Sequence, residues 1–135
     1  MDLKTYLNEN DRFARLAGVA LIEVGDGLAV ARMTVGPQHL NAGGVCQGGA
    51  LFTLADLAFA AAVNGHGQLT VSVSSDIAFF QSAREGDVLT AEARETVNHH
   101  KIPYCEVKVT NQEGQLVCAF TGVAYRKKAT LPLSE

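Results

Sequence analysis

Between Cys46 and Val63 the chain reads CQGGALFTLADLAFAAAV. Two glycines open a long apolar run that holds one carboxylate, Asp56, and no other charge. The run predicts a helix from about Gly48 to Val63, closed by Asn64-Gly65, both of which accept the left-handed conformation. A helix that is apolar on every side must be covered on nearly every side. The rest of the chain offers the cover as strands. "VALIEV" and "LAVARMTV" flank Gly25-Asp26-Gly27, a hairpin signal. From Thr70 onward come "TVSVSSDIAFF", "LTAEARETV", "YCEVKVTN" and "LVCAFTGVAYR", the last two joined by a turn at Asn111-Gln112-Glu113-Gly114. Ahead of the hairpin, Leu3, Tyr6, Leu7, Asn10, Phe13 and Leu16 recur at helical spacing. They predict a short amphipathic helix over 1–17, with Asp2 as N-cap and Gly18 as stop. The segment Gly36 to Gly44 reads as a loop, and the tail over 127–135 is expected to fray. The order is α+β: one domain over 1–135, with a single sheet wrapped around one main helix.

The 135 residues suffice for one sizeable core and not for two. A net charge of -3 argues against a nucleic-acid partner, and no apolar run approaches a membrane span. The N-terminus has no apolar signal region. Three cysteines without a CxxC pair suit free thiols in a reducing cytoplasm. The four histidines show no metal-ligand spacing, so no metal site is expected. His99-His100 reads as a solvated loop, and Arg84 and Lys127 as solvated cations, although each could meet a phosphate.

Asp56 has no Lys, Arg or His at three or four residues on either side. It either faces water or sits in a pocket that raises its pKa. Gly48-Gly49 would stand at a helix N-terminus, where unpaired N–H groups and the helix dipole favour an oxyanion, and where glycine lets a substrate approach the backbone. The same glycines would equally serve a plain turn into the helix. An oxyanion site and a carboxylate base together suggest acyl transfer to water. One helix cannot supply both to one carbonyl, because eight residues span about 12 Å and a base must reach to about 3 Å. A two-fold dimer with antiparallel main helices could.

The stretch "NAGGVCQGGALFTLADLAFAAAVN" resembles the signature of hotdog-fold acyl-CoA thioesterases, in particular the PaaI-type branch named for the phenylacetate pathway. That pattern reads N-x-x-G-x-x-H-G-G, with an acid eight residues after the first glycine of the pair. It falls here on Asn41, Gly44, Gly48, Gly49 and Asp56. "FFQSAREGDVLTAEA" and "YCEVKVTNQEGQLVCAFTGVAYR" extend the likeness over about residues 13–126. The resemblance implies a hotdog fold, with a curved antiparallel sheet around the long helix. It implies homodimers joined edge to edge, often paired as tetramers, with active sites at the dimer interface. By the same likeness the Gly48 N–H polarises the thioester carbonyl, and Asp56 of the other subunit is general base or nucleophile. Asn41 holds substrate or the attacking water, and Ser72, or else Ser74 or Ser75, orients that water. Phe59, with Phe52, Phe79 and Phe80, could line an aryl pocket or be simple core.

The expected activity is hydrolysis of an acyl-CoA thioester to a free acid and CoA, with CoA as part of the substrate and no cofactor. One position departs from the pattern: the usual histidine is Gln47, which donates a hydrogen bond but carries no proton at neutral pH. Gln47 favours an alternative, a hotdog protein that binds acyl-CoA without turnover. No G-x-S-x-G elbow is present, and the lack of histidine from Gly44 to Val63 weakens a dehydratase reading. Cys46 borders the site and is read as a packed thiol rather than a nucleophile.

Overall fold

The fold was followed in a computed structural model, which describes residues 1–133. Two short helices, α1 (Leu3–Asn10) and α2 (Arg12–Leu16), lead into β1 (Ala20–Gly25) and β2 (Leu28–Thr34). After a 3-10 turn at Pro37–His39 comes the long helix α3 (Gly48–Asn64). Then follow β3 (Gln68–Phe79), β4 (Val88–Val97), β5 (Tyr104–Thr110) and β6 (Leu116–Thr130). The six strands form one curved antiparallel sheet in the order β1-β2-β4-β5-β6-β3, wrapped around α3. The α+β hotdog reading of the sequence holds.

Small residues let helix and sheet come close. Ala31 faces Ala91 and Ala29 faces Ala93 across β2 and β4, all fully buried beneath α3. On the helix side the core takes Ala55, Ala58, Ala61 and Ala62. Large side chains fill the flank near β6: the Phe59 and Phe120 rings lie 5.5 Å apart, and Phe52 meets Phe120 edge-on at 5.3 Å. Gly122 on β6 is a glycine for space, since a Cβ there would lie 2.7 Å from the Phe59 ring.

The structure corrects three expectations. The helix over 1–17 is two helices: the Asp11 N–H closes α1 on Leu7 O, and its side chain caps α2 by accepting the Ala14 N–H at 3.1 Å. The tail does not fray from 127. β6 runs to Thr130, which pairs with Gln68, and the Leu131 N–H donates to Gly67 O. Of the expected frayed tail, 134 and 135 lie outside the described residues. Gly65 is right-handed, and the left-handed residue after α3 is Gly67 at φ +94°. Asn64 is buried instead, its amide closing a two-way clasp on the Thr70 backbone at 2.8 and 3.0 Å.

The two sheet edges differ. At β1 the Asn8 amide holds Leu21 N–H at 2.8 Å and Leu21 O at 3.0 Å, so α1 covers that edge. At β3 the outer edge is uncovered, and Val71, Val73 and Phe79 are exposed along it. Open edges of this length are strand-pairing surfaces.

Candidate active site

The loop before α3 is built to deliver the helix start in one place. Asn41 Oδ1 accepts the N–H groups of Gly43 (2.8 Å) and Val45 (3.3 Å), and Asn41 N–H donates to Val45 O. The Cys46 N–H donates to Ala83 O, and the Gln47 N–H to His39 O, both at 2.8 Å. His39 is buried and works at both ends of its ring. Nδ1 accepts the Gly36 N–H at 2.9 Å, which leaves Nε2–H to donate to Ala17 O at 2.6 Å. One residue therefore ties α2 to the backbone of Gln47.

At the helix start the N–H groups of Ala50 and Leu51 return to Gln47 O, at 3.0 and 3.3 Å. Those of Gly48 and Gly49 have no partner among the described residues. They are the unpaired donors at the positive end of a 17-residue helix. Gly48 is tightly covered: a Cβ there would sit 3.0 Å from the Phe79 ring, so that exposed ring would have to give way. At Gly49 a Cβ would meet Gln47 Oε1 at 2.8 Å, because the exposed Gln47 side chain lies over it.

Two clefts flank this end. One, of about 590 Å³, runs between α2 and the first turns of α3 and includes Gln47, Gly49 and Thr53. The other, of about 510 Å³, lies beside Gly48 under the exposed Phe79 and Phe80.

Asp56 lies on the stripe of α3 that faces away from the sheet, with Gly49, Thr53 and Ala60. It is half-buried, and its carboxylate has no hydrogen-bond partner among the described residues. Burial pushes its pKa above the ordinary 3.8, and the negative charge of Asp11 pushes it the same way. It stands about 12 Å along the helix from Gly48, so within one protomer the two do not meet.

The other expected site residues scatter. Asn41 Oδ1 is spent on its own loop, which leaves the Nδ2 amide without a partner among the described residues. Ser72 is exposed on edge strand β3, its Oγ 3.3 Å from that of Ser75. It lies seven residues from Phe79, or about 23 Å of extended chain. Phe59, read as either pocket wall or simple core, is 1% exposed, packed under Gly122 and Phe120, and lines neither cleft. Cys46 is buried, and burial raises its thiol pKa, which disfavours a thiolate nucleophile. Cys105 and Cys118 are pushed up to about 12. His39 carries the architecture of the site, yet no spacing rule marks it, because its partner Ala17 is 22 residues away. Asp11 is open to an N-cap reading through Ala14 three residues on, but its influence on Asp56, 45 residues away, is not.

Comparison with known proteins places this arrangement. The family model described as thioesterase superfamily matches residues 43–118. A putative esterase of Archaeoglobus fulgidus is 37% identical over 130 residues, 96% of this chain and 84% of that one. The Escherichia coli acyl-coenzyme A thioesterase PaaI is 37% identical over 123 residues, 91% of this chain and 88% of its own. A solved structure of the E. coli PaaI protein superposes with a TM-score of 0.90, covering 93% of this chain and 91% of that one. A hypothetical thioesterase of Streptococcus pneumoniae, solved with coenzyme A, is 26% identical with a TM-score of 0.84 and covers 92% of this chain and 99% of that one.

Proposed function

Because the chain belongs to the thioesterase superfamily, on its PaaI-type branch, we propose that it hydrolyses acyl-CoA thioesters to a free acid and CoA. The observation that carries this reading is the pair of unpaired N–H groups at Gly48 and Gly49, opening on clefts at the end of α3. They would receive the carbonyl oxygen as its charge develops. Asp56 supplies the base: its ionised carboxylate takes a proton from water as the water adds to the carbonyl carbon. The tetrahedral intermediate then collapses, the C–S bond breaks, and CoA leaves as a thiolate. The alternative of direct attack by Asp56 would pass through an anhydride. A thiolate leaves well, so a strong general acid is not required, and Gln47 in place of histidine is compatible with turnover. The chemistry needs no metal and no cofactor beyond the CoA of the substrate.

The 12 Å gap requires a second copy. A two-fold axis through the open β3 edge would run two β3 strands antiparallel and bring the partner's β3 alongside Phe79. In such a homodimer Asp56 serves the Gly48 end of the other subunit, Asn41 Nδ2 faces substrate or water, and Ser72 can reach the partner's site. A further pairing into a tetramer is compatible with this. Among the described residues no helix is long and apolar enough to cross a membrane, and the three free buried thiols suit a cytoplasmic setting.

Gln47 also supports a second reading, binding of acyl-CoA without turnover. Thiol release from a panel of acyl-CoAs, with wild type and Asp56→Asn, separates the two. Release by wild type that collapses in a folded Asp56→Asn protein supports hydrolysis. Equal rates in both would remove Asp56 from the mechanism. Binding with no release by wild type would establish the second reading.

A further inference from the structure

The cleft between α2 and α3 is walled by two large apolar side chains that the core does not use. Phe13 is 67% exposed and Leu16 is 80% exposed. They stand one turn apart on α2 and share a face with Ala17, while Ala14 on the opposite side enters the core. A five-residue helix has little stability of its own. This one is held from three sides: Asp11 caps its start, Gly18 at φ +75° ends it, and His39 grips Ala17 O. The fold thus fixes an apolar wall beside the reactive end of α3 without burying it.

Resting on the thioesterase reading, we propose that this cleft receives the acyl group of the substrate. Phe13 and Leu16 then select for uncharged, apolar acyl groups. The cleft shares Gln47 and Gly49 with the oxyanion end, so an acyl chain on a carbonyl held there enters it directly. Its floor and sides add Leu40 and Ala50 to the wall. Among the described residues no Asp, Glu, Lys or Arg lines it. Two of its polar side chains are committed: both His39 ring nitrogens are hydrogen-bonded, and the Thr53 hydroxyl donates to Gly49 O at 2.9 Å. The other two, Gln38 and Gln47, are neutral amides. A charged acyl tail would lose its water and find no counter-charge, whereas an alkyl or aryl group would cover exposed carbon. The volume of about 590 Å³ is within the range of small-molecule sites.

The test uses acetyl-, hexanoyl- and succinyl-CoA as substrates and S-hexyl-CoA, an uncleavable thioether, as a binding probe against free CoA. Wild type is expected to prefer hexanoyl over both acetyl and succinyl. In Phe13→Ala with Leu16→Ala the hexanoyl-to-acetyl ratio of kcat/KM falls roughly tenfold, chiefly through KM. Leu16→Arg supplies a counter-charge and raises succinyl relative to hexanoyl. Both substitutions are at exposed positions, and circular dichroism checks the fold. Hydrolysis with unchanged ratios in every variant would overturn the proposal while leaving the thioesterase reading intact. So would a change of oligomeric state without a change of ratio, which would make this face a subunit contact. If no ester is cleaved but S-hexyl-CoA binds more tightly than CoA through Phe13 and Leu16, the cleft assignment stands and the turnover reading falls.

Discussion

Asp11, the residue that breaks the N-terminal helix in two and caps α2, is also the one charge among the described residues that bears on Asp56. Burial is the larger influence on Asp56, and Asp11 adds to it in the same direction. Both oppose ionisation, so a base at Asp56 reaches its active form only above the ordinary 3.8. Activity should therefore fall on the acid side with a midpoint above 3.8. Asp11→Asn keeps the cap, because Asn caps as well as Asp, and removes the charge. Its acid limb should move to lower pH, with α2 still in place by circular dichroism. A pH–rate profile that does not move would show that Asp11 acts on the fold alone.

The same raised pKa carries a stability cost at neutral pH. The folded state holds the Asp56 proton more tightly than the unfolded chain does. Its contribution to stability is full below 3.8 and is lost as pH rises through the folded value. Asp56→Asn should therefore be more stable than wild type at pH 7. The difference should shrink toward zero as pH falls to 3.8. Thermal unfolding at both pH values, at one protein concentration because the proposed dimer would melt by mass action, measures this. The same variant should lose about 10²- to 10⁴-fold in kcat, the usual worth of a general base. A variant that is less stable at pH 7 would mean that Asp56 makes a favourable contact in the assembled protein.

What could be read in the sequence was what is encoded locally. The alternation in β4 and β5, the Asp26-Gly27 turn and the apolar run of α3 each sit within a few residues, and the structure keeps them all. Asp56 stood out because its helix offers no counter-charge, and Gly48 because two glycines open that helix. The failures involve tertiary partners. Thr130 stays in β6 because Gln68 pairs with it, and Asn64 is buried because Thr70 fills its amide. For Phe59 the sequence left pocket and core both open, and its packing under Gly122 and against Phe120 lies far along the chain. The wall formed by Phe13 and Leu16 was invisible for the opposite reason: both fit the apolar face of an amphipathic helix, yet α2 turns them outward.

At the far end of α3 a polar cluster should matter for stability and not for catalysis. His66 Nε2 lies 2.6 Å from Glu95 Oε1, and Nδ1 lies 3.2 Å from the exposed Asp26. The Glu95 side chain is 2% exposed, and its Oε2 makes no hydrogen bond, with Arg126 Nη2 at 3.5 Å. His66→Ala removes the only short hydrogen bond that the described residues make to that buried carboxylate and should cost about 1–3 kcal/mol. Asp26→Ala, at a 90% exposed side chain, should cost less than about 0.5 kcal/mol. Urea denaturation gives both values. The kcat/KM of His66→Ala should match wild type, since α3 separates it from Gly48 by about 24 Å. Loss of activity without loss of stability would place this cluster in the site after all.

The division of the site between subunits is the most demanding expectation, and it can be tested without a crystal. Gly48→Pro removes the N–H at the first helical position, where proline is tolerated in the backbone, and crowds Phe79. Asp56→Asn removes the base. Each variant alone should be nearly inactive. Co-expressed, they form mixed dimers in which one site keeps the Gly48 of the Asp56→Asn chain and the Asp56 of the Gly48→Pro chain. The other site loses both. Isolated mixed dimers, separated by two different tags, should recover about half of wild-type kcat, because one of two sites is whole. If Gly48 and Asp56 acted within one chain, every site in the mixed dimer would carry one defect and none would recover. That outcome would require α3 to bend sharply between them. The unbroken helix from Gly48 to Asn64 argues against such a bend.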